Sequence, residues 1–324
     1  MRKNFFLWSI KFACAGLSFL LFFVLLQDLL IPRFPYESTS IVDAYSKMEN
    51  NSIDVLFLGS SQMYCTIDSE KLTREHNVSS INLGAAAQPL LATKFYFNQA
   101  LKTQSPKVIC LEVTTAFNQN TNISEDKIAW SYSPMSPSID KFNSLSEVFE
   151  GDFMRAFMYT YTPLFVYHDR WNSIKKSEIE YMISNRILNS TIANRGYVRR
   201  DNIESYPIAF FNGTGEKKTI PKESKDAIIY MKKQCDKKNI KLLLFKSPDS
   251  TWTKDESESI KQFVNYNGLE FIDLHEYIND IGFDSNHDFS DEGHLNDYGA
   301  QKVAGFIAKV VSQYVGNYKE RNYR

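Results

Sequence analysis

Ile53-Asp54-Val55-Leu56-Phe57-Leu58-Gly59-Ser60-Ser61-Gln62 is the stretch on which the reading of this sequence turns. Its apolar centre runs without polar alternation, so it predicts a strand buried on both faces. That belongs to a parallel sheet covered by helices rather than to an antiparallel sheet with one wet face. Gly59-Ser60-Ser61 then ends the strand in turn chemistry. The same pattern recurs at residues 80–83, closed by Gly84, and at 107–113, 240–245 and 269–272. Helical patterns fall between them, at about 89–104, 224–238, 254–267 and 296–315. Short apolar strands alternating with amphipathic helices predict an α/β domain of about five parallel strands. Crossovers in such a sheet are right-handed, and its functional loops gather at the strand C-terminal ends.

Outward from this frame the chain divides into three parts. Arg2 and Lys3 precede a nearly unbroken apolar run from Phe5 to Leu26, ended by Gln27-Asp28. About 20 such residues cross a bilayer as a helix. No small-x-small cleavage site follows, which favours an uncleaved signal anchor over a removed signal peptide. The basic N-terminus predicts a cytoplasmic tip, with everything after about residue 31 outside the cell membrane. The expected organisation is therefore 1–31 as tip and transmembrane anchor in contact with lipid, 32–51 as a connector, and 52–324 as an extracytoplasmic domain. Residues 117–220 interrupt the strand–helix rhythm and read as an aromatic-rich, partly helical insertion. The 324 residues carry a net charge of −1 with Lys and Arg scattered, which argues against a nucleic-acid partner. The four cysteines fit neither a zinc site nor a disulfide framework, and no helix carries His-x-x-x-His, so neither metal nor cofactor is expected.

Three segments that follow predicted strands carry chemistry. Ser61 sits in the turn after the first, where its hydroxyl can reach the rim of the sheet. Gly84 follows the second, where a glycine lets a backbone N–H approach a substrate oxygen, or simply serves a turn. The most specific is Asp288-Phe289-Ser290-Asp291-Glu292-Gly293-His294-Leu295-Asn296-Asp297. Asp291 stands three residues before His294, so the carboxylate can hold one ring nitrogen protonated while the other takes a proton from a serine. Asn296 or Asp297 would cap the last helix and fix the loop. His287 also has an aspartate three residues before it, Asp284, but lacks an adjoining capped helix and ranks below His294.

Together these blocks resemble the SGNH/GDSL hydrolase superfamily, whose three-layer α/β/α, flavodoxin-like fold the resemblance implies here. Ser61 maps to the nucleophile, Gly84 to the glycine block, and Asp291 and His294 to the final Asp-x-x-His pair, with Ser60 standing where the family has Asp. The third block departs from the pattern: Thr114-Thr115-Ala116-Phe117-Asn118 replaces Gly-x-Asn-Asp. The resemblance thus implies an oxyanion hole built on Ser61 and Gly84 N–H groups with help from Thr114. Membrane-anchored members of the D-alanyl transfer and alginate acetylation types show similar departures. This implies a serine esterase or O-acyltransferase acting on acyl esters of an envelope or extracellular polysaccharide, with a membrane-bound O-acyltransferase as a possible partner. The rival expectation is a non-catalytic, SGNH-like protein that binds a glycan or partner. In the insertion, Tyr167-His168-Asp169-Arg170-Trp171 reads either as part of a substrate groove, with His168, Arg170 and Trp171 as contacts, or as a helix end filling core space.

Overall fold

The computed structural model describes residues 2–32, 36–121, 123–183, 195–211 and 218–316. Its centre is a five-stranded, wholly parallel sheet in the order β2-β1-β3-β4-β5. The strands are β1 (Val55–Leu58), β2 (Ser80–Asn82), β3 (Val108–Glu112), β4 (Lys241–Lys246) and β5 (Glu270–Asp273). The first four are buried nearly throughout, which is why they read as continuous apolar runs. This is the doubly wound, flavodoxin-like order, in which the chain reverses direction across the sheet at β1/β3.

The helices follow from that order. α1 (Arg2–Leu30) precedes the sheet, and Trp8–Leu30 is long and apolar enough to cross a membrane. α2 (Tyr36–Ser46) lies in the stretch expected as a connector. α3 (Ser61–Thr66) and α4 (Ser69–His76) join β1 to β2, and α5 (Leu90–Thr103) joins β2 to β3. Between β3 and β4 the chain forms α6 (Glu125–Tyr132), α7 (Ile139–Val148), α8 (Phe153–Tyr161), α9 (Pro163–Val166) and α10 (Lys176–Met182). It re-enters the sheet through α11 (Lys222–Lys238). α12 (Lys254–Asn267) joins β4 to β5, α13 (Ile278–Ile281) follows, and α14 (Asp297–Val315) ends the fold. α5 packs on α11, while α14 packs on α3 and α4, as right-handed crossovers in both directions require.

Two features position the site. Residues 289–295, expected as a loop fixed by the cap of the last helix, form a hairpin of β6 (Phe289–Asp291) and β7 (His294–Leu295). Asn296 caps α14 by accepting from Gly299 N at 3.1 Å, and it donates to the carbonyls of His287 and Phe289. The hairpin is thereby riveted to the start of a long buried helix.

The second is a strap formed by residues 195–209, which crosses the carboxyl edge of the sheet. Arg195 O accepts from Asn82 N, and Val198 N donates to Tyr64 O beside α3. Arg200 O accepts from Asp297 N, Glu204 N donates to Phe289 O, and Ala209 N donates to Ser250 O. Gly196 permits this course: φ is +86°, and a Cβ would stand 2.0 Å from Asn82 O. No L side chain fits there without moving backbone.

Candidate active site

β1 ends at Leu58, and Ser61 is the first residue of α3, so its hydroxyl emerges at the carboxyl edge of the sheet. The hairpin brings His294 to it across 233 residues of sequence: Nε2 lies 2.7 Å from Ser61 Oγ. On the other side of the ring, Nδ1 lies 2.7 Å from Asp291 Oδ1. A carboxylate only accepts, so Nδ1 carries the proton and Nε2 is left to accept from the serine hydroxyl. Asp291 Oδ1 also accepts from Gly293 N at 2.9 Å, which fixes the carboxylate within the hairpin turn. The imidazole is 24% exposed and the Asp291 side chain 46%, so the pair opens to solvent while the serine sits against the domain. His287 turns instead to Asp288, 3.1 Å away.

The expected oxyanion donors do not all stand free. Gly84 N donates to Asn82 Oδ1 at 3.0 Å, because Asn82 folds back over its own turn while its amide donates to Met63 O. Gly84 is needed all the same: a Cβ there would meet Ser60 O at 2.8 Å. The Thr114 hydroxyl is held between Gln62 Oε1 and Glu112 Oε1 rather than facing the serine. Ser61 N, at the first helical position, remains one of the donors that a helix start leaves without an intrahelical acceptor.

Beneath the serine lies a buried polar cluster that the sequence reading missed. Gln62 Oε1 receives Lys246 Nζ and Thr114 Oγ1, each at 2.5 Å, and Ser247 Oγ at 3.2 Å; its amide donates to Asp249 Oδ2 at 2.9 Å. Lys246, with no solvent exposure, sits 2.6 Å from Asp249 and 3.8 Å from Glu112. Burial raises the Glu112 carboxyl, and Lys246 and Thr114 offset this only in part. Burial pushes Asp249 up as well, but Lys246, His275 and Gln62 outweigh it and hold that carboxyl below its ordinary value. The cluster therefore ties the ends of β3 and β4 to the residue next to Ser61. No sequence signal marks it: the register that pairs Glu112 with Phe245, and so sets Lys246 beside a carboxylate of the neighbouring strand, exists only in the folded sheet.

A second Asp–His pair completes the support. His275 Nδ1 lies 2.7 Å from Asp273 Oδ1, and its Nε2 accepts from Asp249 N at 3.0 Å. Trp252 Nε1 donates to Asp273 Oδ2. This pair is fully buried and holds the loop after β4. Ser250 of that loop donates through both N and Oγ to Glu292 O, in the hairpin turn that carries His294.

The insertion segment is not part of this constellation. Arg170 donates to Leu30 O at 2.8 Å and forms a two-pronged pair with Glu178 at 2.9 Å, so its guanidinium joins α1 to α10 and is not available to grip an anionic substrate. His168 Nδ1 contacts Phe165 O, and Trp171 stands in solvent on the 3-10 turn His168–Asn172. The helix-end reading of this segment fits Arg170, whereas Trp171 fills no core space.

Among solved structures, the chain is similar to a Bacteroides fragilis protein described as a candidate acylhydrolase, with 11% identity, a TM-score of 0.40, and coverage of 84% of this chain and 95% of that one. No family model and no curated protein sequence matches it.

Proposed function

We propose that this chain is a membrane-anchored serine hydrolase or O-acyltransferase of the SGNH type, held by α1 with its α/β domain outside the membrane. The observation that carries the reading is the unbroken Asp291–His294–Ser61 relay, with both links at 2.7 Å. In the reaction, Ser61 Oγ attacks an ester carbonyl and its proton passes to His294 Nε2. Collapse of the tetrahedral adduct expels the alcohol, which takes that proton and leaves an acyl-serine. His294 then activates either water, completing hydrolysis, or a sugar hydroxyl, completing transfer. Asp291 favours the imidazolium that forms between these steps. An envelope or extracellular polysaccharide is the proposed acyl donor or acceptor, with a membrane-bound O-acyltransferase as the proposed supplier of acyl groups.

The engagement of Gly84 N and Thr114 Oγ1 supports a second reading, a non-catalytic glycan- or partner-binding protein. One missing oxyanion donor costs about 3 kcal/mol of transition-state stabilisation. Labelling of the full chain with a fluorophosphonate probe, alongside p-nitrophenyl acetate turnover, separates the two. Wild type should label and turn over, while Ser61→Ala and His294→Ala lose at least about a thousandfold. Labelling that survives in Ser61→Ala removes the nucleophile assignment. No labelling of the folded wild type selects the binding reading.

A further inference from the structure

The carboxyl end of α1 is mounted on the insertion. Leu30 is buried in the main hydrophobic core, Leu26 packs against that core, and α1 contacts both α9 and the 3-10 turn His168–Asn172. Arg170 closes the joint, since it bonds the last carbonyl of α1 and the buried carboxylate of Glu178 together. On these same two segments, Phe165 is 60% exposed and Trp171 73% exposed. Neither ring fills core space, and both lie beside the end of an apolar helix.

Helix length fixes where that end stands. At about 1.5 Å per residue, the hydrocarbon core of roughly 30 Å takes up about 20 residues of α1. Counted from Trp8, near which Lys11 can reach the inner headgroups, the outer boundary falls near Gln27-Asp28. The domain begins to pack on α1 at that level, so the two segments carrying Phe165 and Trp171, which touch α1, stand at the headgroup layer with no spacer. Aromatic rings with one apolar and one wet side favour that layer.

We propose that Phe165 and Trp171 form a membrane-resting rim, so that the domain stands on the lipid surface in a fixed orientation rather than hanging from α1 on a tether. The occupant of this face is the lipid headgroup–acyl boundary. The inference rests on the reading of α1 as a span, and the test separates the two.

The full chain with Cys14→Ser is reconstituted in phosphatidylglycerol/phosphatidylethanolamine vesicles. Single cysteines are introduced as Phe19→Cys within α1, Phe165→Cys and Trp171→Cys on the rim, and Tyr266→Cys as a control, because Tyr266 on α12 is highly exposed. The other native cysteines are buried. Each is labelled with an environment-sensitive fluorophore and read against lipids bearing nitroxides at the headgroup or mid-chain. The expected result is mid-chain quenching at 19, blue-shifted emission with headgroup quenching at 165 and 171, and an aqueous, unquenched signal at 266. Quenching at 19 with aqueous signals at 165 and 171 overturns the rim and leaves the span. An aqueous signal at 19 overturns the span and the rim with it. Shielded but lipid-silent probes at 165 and 171 also overturn the proposal, and assign the face to another protein or a second copy.

Discussion

Replacing Lys246 with methionine tests whether the buried cluster beneath Ser61 is an electrostatic unit. The ammonium is shared by Asp249 at 2.6 Å, Gln62 at 2.5 Å and, more distantly, Glu112 at 3.8 Å, all in the interior. Methionine keeps most of the volume and removes the ammonium that pairs with both carboxyls. Leaving one buried carboxylate without its counter-charge costs about 3–5 kcal/mol. Against a total of about 5–15 kcal/mol for a domain, that is a large fraction. Burial already favours the protonated Glu112 carboxyl, and the ammonium stands closer to Asp249, so the loss belongs mainly to Asp249. Lys246→Met combined with Asp249→Asn should therefore recover more than half of the single-mutant loss. Urea unfolding followed by tryptophan fluorescence reads both, because Lys246 lies over the buried Trp252 ring at 5.1 Å. A single-mutant loss under about 1 kcal/mol, or a double mutant less stable than the single, would refute the pairing argument.

Three further perturbations have defined outcomes. Asp291→Asn leaves His294 without the acceptor that fixes its tautomer; because Asp291 is half-exposed, kcat should fall by about a hundredfold rather than the ~10⁴ of a buried acid, and an unchanged pH–rate profile would speak against the relay. Gly196→Ala drives a Cβ against Asn82 O, so the strap should detach at a cost of about 1–3 kcal/mol, read as faster amide exchange at Val198; unaltered exchange would show that the close approach is not needed. Burial pushes the Lys141 amine down to about 7 from 10.5. The unfolded chain then binds the extra proton between those values, so wild-type stability rises with pH across that window and the penalty is full below it. Lys141→Met should stabilise by a few kcal/mol, on the order of magnitude of the shift, near pH 6, with the gain shrinking towards pH 10; a pH-independent difference would count against a buried amine.

The sheet was legible because strands buried on both faces leave a one-dimensional trace: Val55–Leu58 and Lys241–Lys246 stand out as apolar centres with turn residues beyond. Asp291 and His294 were legible because three residues of hairpin suffice to bring them together. The cluster was not, because sequence does not distinguish the two ends of β4. Lys241 lies at the surface beside Glu270, whereas Lys246, five residues on, is sealed in the interior. Only the pairing register separates them. The two readings of Arg170 stayed open for a similar reason: a guanidinium beside aromatics looks the same whether its partner is a ligand or the chain's own Glu178.

The strap carries a consequence for when the site comes into being. Its hydrogen-bond partners extend from Tyr64 and Asn82 in the first part of the chain to Asp297 near its end, although the strap itself lies between β3 and β4. A chain emerging N-terminus first thus has Ser61 long before it has either the strap or His294, and the contact between the two side chains cannot form until the final hairpin docks. Chains cut after residue 287 should accordingly show early proteolytic cleavage around residues 199–205, whereas the intact protein resists; equal resistance would mean that the strap seats without the hairpin.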